Sequence, residues 1–213
     1  MSTTTFPSAP PQSPPLPPGD AAKVAGTKPD PIRHGQSGVW VGISAITMSF
    51  AAFTSALFVR QGSGDWTHVV VPRLIYANTG ALLVSSITVE MARRAFMSAA
   101  EPKAKALGES LRWLVITLLL GLVFVMGQYL VWRELAAQGL YLATNSNSSF
   151  LYVLTGAHAL HVLGGIAGLL RLIVRMTRKQ ITLQSNSVYN TAIYWHFMGV
   201  LWVYLLLVIT VRL

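Results

Sequence analysis

The chain has 213 residues, of which 53% are hydrophobic and 11% are charged, and it contains no cysteine. A soluble domain usually carries about 25% charged residues, so this composition indicates a membrane protein. The lack of cysteine excludes disulfides, thiolate metal sites and iron–sulfur clusters. The formal net charge of +9 could indicate nucleic-acid binding, but its meaning depends on where the basic residues lie.

The chain starts with a proline-rich segment, residues 1–33. Nine of the eleven prolines lie there, and only Pro72 and Pro102 lie beyond it. Such a segment buries too little apolar surface to offset its chain entropy, and we expect no cleavable signal peptide in it. We therefore predict a disordered, proline-rich cytoplasmic tail over residues 1–33.

Five apolar segments follow, each long enough to cross about 30 Å of hydrocarbon as a helix. The predicted helices cover residues 38–59, 71–91, 112–132, 150–174 and 191–211. The second contains or adjoins three polar or charged residues, Arg73, Asn78 and Glu90. These segments predict an all-α fold, an integral membrane bundle of five transmembrane helices over residues 34–213.

The basic residues lie mostly on one side of this bundle. Twelve of the sixteen share a side with the N-terminus: Lys23, Lys28, Arg33, Arg93, Arg94, Lys103, Lys105, Arg112, Arg171, Arg175, Arg178 and Lys179. The other four are Arg60, Arg73, Arg133 and Arg212. Because basic residues near helix ends are retained on the cytoplasmic face, we predict a cytoplasmic N-terminus and an external C-terminus. Juxtamembrane clusters suit anionic lipid headgroups better than nucleic acid.

Polar side chains inside the apolar segments are the first candidates for function, because each is costly in lipid. His158 and His161 are three residues apart in TGAHALHVLGG and share one face of the fourth helix, while His196 lies in the fifth. Three further candidates are Gln128 in the third helix, and Ser86 and Thr88 in the second.

The three histidines have two interpretations. They could hold a catalytic metal with an open fourth position, or ligate a b-type haem. However, ligands at i and i+3 share a face and suit one haem poorly, and no carboxylate lies near them in sequence to orient them. We favour hydrogen bonds to neighbouring helices, worth about 1 kcal/mol or less each. On that interpretation, His158→Leu should loosen the bundle or its assembly without removing a chromophore.

Transport of protons or ions would need ionisable groups through the bilayer. No acid lies in the middle of a predicted helix, and Glu90 lies at a helix end beside Arg93 and Arg94. A small transporter is therefore disfavoured. The residues alone predict a five-helix bundle without a catalytic, cofactor-binding or metal site.

Two segments point to a known family. Residues 155–166, TGAHALHVLGGI, resemble the TG-x-H-G-L-H-V-x-x-G segment of subunit III of haem–copper oxidases, and residues 194–202, YWHFMGVLW, are similar to its YWHF-V-D-V-V-W segment. SSIT at 85–88 and the glutamine of GQYLVWRELAAQG at 127–139 agree in order. The sequence resembles the short, five-helix form of cytochrome c oxidase subunit III.

This resemblance implies an accessory, non-catalytic subunit of a proton-pumping terminal oxidase, with cytochrome c as the expected electron donor, in a bacterial-type inner membrane. It implies that subunit I, the main partner, carries the haem and copper. The chain itself is expected to bind phospholipid but no haem, copper or nucleic acid. His158, His161 and His196 would then tie the fourth and fifth helices together.

The sequence departs from the family pattern at three acidic positions, where Ala45, Val131 and Gly199 stand instead. Functions that depend on those acids are therefore left open. Three alternatives also stay open. They are subunit III of a quinol oxidase, an accessory protein of nitric oxide reductase and, from a different class, an independent haem-binding membrane cytochrome.

Overall fold

The computed structural model describes residues 31–61, 72–98, 103–140, 146–178 and 185–212. Over these ranges it contains helices and no strand: α1 Pro31–Arg60, α2 Leu74–Met97, α3 Lys103–Ala137, α4 Ser146–Thr177 and α5 Ser185–Arg212. Each helix includes a stretch that is long and apolar enough to cross a membrane. The predicted all-α architecture with five membrane-spanning helices is therefore confirmed. Residues 1–30, most of the predicted tail, lie outside the described residues.

The helices extend beyond the apolar segments that predicted them. α1 begins at Pro31, so residues 31–33, assigned above to the tail, belong to this helix. α3 runs over Lys103–Ala137 and exceeds the predicted 112–132 at both ends. The reason is that hydropathy reports only the apolar part of a helix, whereas backbone hydrogen bonding continues into polar residues beyond the hydrocarbon.

A glycine ends α3 in a defined way. Gly139 has φ +80°, in the left-handed region that glycine adopts without a Cβ clash. The N–H of Gly139 donates to the carbonyl of Ala136, and the N–H of Leu140 donates to the carbonyl of Leu135. This is the Schellman arrangement, which satisfies carbonyls that the helix end would otherwise leave unpaired.

α5 lies at the centre of the bundle. It packs against α1, α2 and α4, and it is the most buried of the five spans, while α1 is the least buried. α2 and α3 form the most extensive helix pair, and α3 also packs on α4. The side chains of α5 reach these three helices and also α3, since Trp202 packs on Phe124.

The apolar core has two parts, and α5 contributes a tryptophan to each. Trp202 belongs to the first part, with Phe50 and Phe124, and Trp195 belongs to the second, with Leu114 and Leu169. Both indoles are almost completely buried. Since Phe and Trp side chains bury large areas and dominate core energetics, these two residues fix how α5 sits among its neighbours.

Candidate functional site

His158 is fully enclosed in the core. Its ring centroid lies 6.0 Å from that of Phe124 on α3 and 5.0 Å from that of Trp202 on α5. Neither ring nitrogen has a hydrogen-bond partner in the part of the chain that the structure describes. The structure thus replaces the hydrogen bond expected of His158 with ring packing, because the residues that face it on α3 and α5 are aromatic.

His161 and His196 lie in different surroundings. The Nδ1 of His161 is 2.7 Å from the carbonyl oxygen of Ala157, one turn earlier on the same helix, and the ring packs against Phe50 of α1. His196 faces α2, where its Nε2 lies 3.8 Å from a carboxylate oxygen of Glu90. The contact that the described residues show for His196 is therefore with α2, whereas the sequence predicted one with the fourth helix.

The three histidines do not form one site. Among the residues that the structure describes, no group of three or more His, Cys, Asp or Glu side chains is placed to hold a metal ion. The sequence predicted that the three histidines tie α4 to α5. The two helices are in contact, but through other interactions than hydrogen bonds from the histidine rings. His158 packs on Trp202, and the Tyr194 hydroxyl donates to the carbonyl of His161 at 3.0 Å.

Gln128 is a second buried polar group at the interface of α3 and α4. It is 2% exposed, and neither polar atom of its amide has a partner within the described ranges. Along α3 it lies between two contacts with α4: Phe124 packs on His158, and the Trp132 indole donates to the Thr155 hydroxyl at 3.1 Å. Gln128 therefore lies one helical turn from Phe124, the residue of α3 that packs on His158.

Two indoles of α5 donate to hydroxyls of α2. Trp195 Nε1 is 2.9 Å from Ser85 Oγ, and Trp202 Nε1 is 2.9 Å from Thr79 Oγ1. Both hydroxyls donate in turn to carbonyls of their own helix. A buried N–H in lipid must find a partner inside the protein, so these bonds specify the register of α2 against α5.

The predicted polar residues of α2 point to two different helices. Thr88 is buried, and its hydroxyl lies 2.8 Å from that of Thr117 on α3. Ser86 faces α5 instead, where a Cβ at Gly199 would lie 3.1 Å from the Ser86 Oγ. Thr88 therefore belongs to the α2–α3 interface, whereas Ser86 belongs to the α2–α5 side.

A groove of about 370 Å³ opens between α2 and α5. Its lining residues are Ser86, Ile87, Glu90, Met91, Arg94 and His196. Glu90 accepts hydrogen bonds from both Arg93, at 2.7 and 2.8 Å, and Arg94, at 2.8 Å. The sequence placed Glu90 beside these arginines, but it did not reveal the contact with His196, which joins residues far apart in the chain.

Comparison with known protein families gives a match that extends from α1 to α5. The model of the family described as cytochrome c oxidase subunit III matches residues 48–212. The chain is also 33% identical over 178 residues to the probable cytochrome c oxidase subunit 3 of Mycobacterium tuberculosis, and the match covers 81% of this chain and 85% of the relative. The chain belongs to the cytochrome c oxidase subunit III family. The predicted family membership is confirmed.

Other relatives of this subunit III chain carry two kinds of oxidase name. It is 32% identical over 172 residues to the probable cytochrome c oxidase subunit 3 of Nocardia farcinica, covering 78% of this chain and 82% of the relative. It is 30% identical over 174 residues to the probable quinol oxidase subunit 3 of Staphylococcus aureus, covering 79% and 84%. The chain is thus a multi-pass membrane subunit of a terminal oxidase complex of the haem–copper type.

The three positions at which the resemblance led us to expect acidic residues lie in unlike environments. Ala45 is exposed on α1, Val131 is buried in the core, and Gly199 is buried beside Ser86. Among them, only Gly199 lies near a carboxylate-bearing part of α2, since His196, one turn earlier on α5, contacts Glu90.

We expect His158→Leu to change the free energy of unfolding by no more than about 1.5 kcal/mol, the size of the ring–ring contact that it removes. The effect expected from the structure is smaller than the loosening of the bundle predicted from the sequence, because the substitution breaks no hydrogen bond within the described residues.

Thr79→Val should lower the free energy of unfolding by about 1–3 kcal/mol, since it leaves the Trp202 indole N–H buried and unpaired. Unfolding of both variants in mild detergent checks the difference, and equal losses would contradict it.

Proposed function

We propose that this chain is the accessory, non-catalytic subunit III of a proton-pumping oxidase that reduces O2 with electrons from cytochrome c. The observation that carries the proposal is the family match over residues 48–212, which spans nearly the whole five-helix domain. The cytochrome c oxidase names of the relatives from Mycobacterium tuberculosis and Nocardia farcinica support the choice of donor.

In this proposal the haem and copper belong to subunit I, which is the main protein contact, and this chain binds neither. The surroundings of His158, His161 and His196, three of the five histidines, support that division of roles. His158 is packed between aromatic rings, His161 is bonded within its own helix, and His196 is beside Glu90. Their separation offers no common set of donors for a metal or a haem iron.

The proposed location is the bacterial inner membrane, with the N-terminus in the cytoplasm, and phospholipid is expected to fill grooves on the lipid-facing surface. Support comes from the twelve basic residues that share a side with the N-terminus. The five spans found among the described residues support the further proposal that the C-terminus lies outside.

The test is to isolate the tagged chain from membranes in mild detergent and to record a visible spectrum and oxygen uptake of the eluate. We expect a larger haem-containing partner to co-elute and to consume oxygen with reduced cytochrome c. Membranes with the untagged chain provide the control. A coloured eluate that holds this chain alone, or an eluate without an oxidase, would overturn the proposal.

A quinol oxidase is the second candidate, because the Staphylococcus aureus relative with that name is only slightly less similar, 30% against 33% identity. The same eluate distinguishes the two complexes. Oxygen uptake with a reduced quinol but not with reduced cytochrome c would establish the quinol oxidase.

A further inference from the structure

We propose that Gln128 of α3 and His158 of α4 together bind an internal water molecule in the core of the bundle. Neither residue lines the groove between α2 and α5. The proposal rests on contacts within this chain and not on the identity of the oxidase. Water is the ligand that fits, because an amide and a neutral imidazole offer both hydrogen-bond donors and acceptors without a formal charge.

The two side chains differ from the other buried polar groups because their polar atoms are enclosed and unpaired. Gln128 is 2% exposed, and His158 is fully buried. Both amide atoms of Gln128 and both ring nitrogens of His158 lack a partner within the described ranges. By contrast, the buried amide of Asn78 donates to the carbonyl of Phe124 at 3.0 Å. Since a buried polar group without a partner is costly, these four atoms call for a ligand.

The aromatic contacts of His158 leave its ring nitrogens available. The imidazole lies over the indole of Trp202, with centroids 5.0 Å apart and 33° between the ring planes. Phe124 meets the imidazole nearly at a right angle, at 6.0 Å and 84°. Stacking on the indole uses a face of the imidazole, whereas its N–H and its lone pair lie in the ring plane. A neutral imidazole therefore still has one group to donate and one to accept.

Gln128 lies on the face of α3 that packs against α4. It is one turn after Phe124, which packs on His158, and one turn before Trp132, whose indole donates to Thr155 at 3.1 Å. Positions four residues apart share a helix face. In the described part of the chain no direct hydrogen bond joins Gln128 to His158. A water between them would satisfy both, and buried waters make about three hydrogen bonds each.

A polar seam leads from this site towards the end of α3. The buried Thr155 hydroxyl accepts from the Trp132 indole and donates to the carbonyl of Leu151 at 2.6 Å. Nearer the helix end, the Tyr152 hydroxyl donates to the carbonyl of Leu140 at 2.9 Å. Trp132 and Tyr152 are both half-buried, so the seam reaches the surface. It gives water polar contacts between the surface and the site.

Radiolytic labelling in water that carries heavy oxygen detects a bound water in the protein purified with its natural partners in mild detergent. X-rays convert the bound water into a hydroxyl radical that oxidises adjacent side chains, and mass spectrometry counts the heavy oxygen incorporated. Trp202 and Trp195 are a matched pair, because both lie on α5, both are almost fully buried and both donate to a hydroxyl of α2. Trp202 lies over His158, whereas Trp195 lies against Gly165. We expect on the order of tenfold more label on Trp202, since a buried water is held at one place.

The label should depend on the two proposed ligands. Gln128→Met combined with His158→Leu removes the donors and acceptors of the site, so the label on Trp202 should fall to the level found on Trp195. Leu135→Met is the matched control, because Leu135 is 1% exposed on the same helix and its replacement removes no polar group. The Trp202 label should stay unchanged in that variant.

The stability of Gln128→Met tests the same site through the sign of its change. Methionine has nearly the length of glutamine but lacks the amide. With a bound water, the substitution breaks hydrogen bonds, and the equilibrium constant for unfolding in mild detergent should rise about tenfold. At a dry site, it would remove an unpaired amide from an apolar core, and the constant would fall. Leu135→Met gives the effect of a buried methionine on α3 by itself.

Equal labelling of Trp202 and Trp195, a Trp202 label that persists in the double variant, or a stabilising Gln128→Met would each overturn the inference. More label on Trp202 that is lost in the double variant and kept in Leu135→Met, with a destabilising Gln128→Met, would establish it. None of these measurements uses oxygen uptake or an electron donor. Their failure therefore leaves the proposed function untouched, and failure of the proposed function leaves the water site untouched.

Discussion

Trp195→Ala is expected to lower the free energy of unfolding by about 3–5 kcal/mol, the cost of truncating a large buried aromatic side chain. Trp195 is 1% exposed and donates its indole N–H to Ser85 on α2. Its ring also lies against Gly165 of α4 and Gly121 of α3. The substitution therefore opens a cavity where four helices meet and leaves the Ser85 hydroxyl without its donor.

Unfolding of the purified protein in mild detergent, followed by a spectroscopic signal other than Trp195 fluorescence, measures this loss. Trp40→Ala is the control, because Trp40 is 57% exposed on α1 and should change the free energy of unfolding by only about 0.5 kcal/mol. Equal losses in the two variants would show that Trp195 does not organise the bundle.

The number and type of the elements were predictable because lipid imposes a strong local rule. Each span must satisfy its own backbone hydrogen bonds and must be apolar over about 20 residues. Composition therefore located all five helices. The ends were less predictable, since α3 continues into polar residues at both ends and its last turn is shaped by Gly139.

The meeting of Glu90 with His196 was not predictable from local pattern. It depends on how α2 and α5 are rotated about their axes, which is set by contacts such as Trp195 with Ser85 and Trp202 with Thr79. The pairing of Glu90 with Arg93 and Arg94 was visible, because residues at i+3 and i+4 share a helix face. Residue spacing therefore predicts contacts within one helix, but it does not predict which residues of another helix will face them.

The two histidines of the TGAHALH segment show a second limit of prediction from sequence, which concerns the partners of buried polar side chains. The motif indicated the family, which the comparison confirms, and helical spacing placed both rings on one face. It did not reveal that His158 faces Phe124 and Trp202, nor that His161 bonds to the carbonyl of Ala157. His158, Gln128 and Thr88 are buried, whereas the His196 side chain is 40% exposed. Both the burial of a polar residue in an apolar helix and its partner therefore depend on the residues of other helices.

Gly121→Val is the second substitution for which we expect a large loss of stability, because α3 and the Trp195 side chain of α5 approach closely at Gly121. A Cβ at Gly121 would lie 2.7 Å from Cη2 of Trp195, which is too close for unstrained contact. Gly121→Val should therefore force the indole to shift and cost about 1–3 kcal/mol or more. Gly80→Val is the matched control, since no heavy atom of the described residues outside the immediate helix backbone lies within 4 Å of a Cβ there.

The double variant decides whether the Gly121 effect acts through Trp195. With alanine at 195 the obstructing ring atoms are gone, so adding Gly121→Val should cost less than about 1 kcal/mol, and the valine can fill part of the cavity. The two substitutions would then be non-additive by about 2 kcal/mol, within the range for residues in contact. Strict additivity of the unfolding free energies would instead place the effect of Gly121→Val in the backbone of α3, because the indole could not be the group that is displaced.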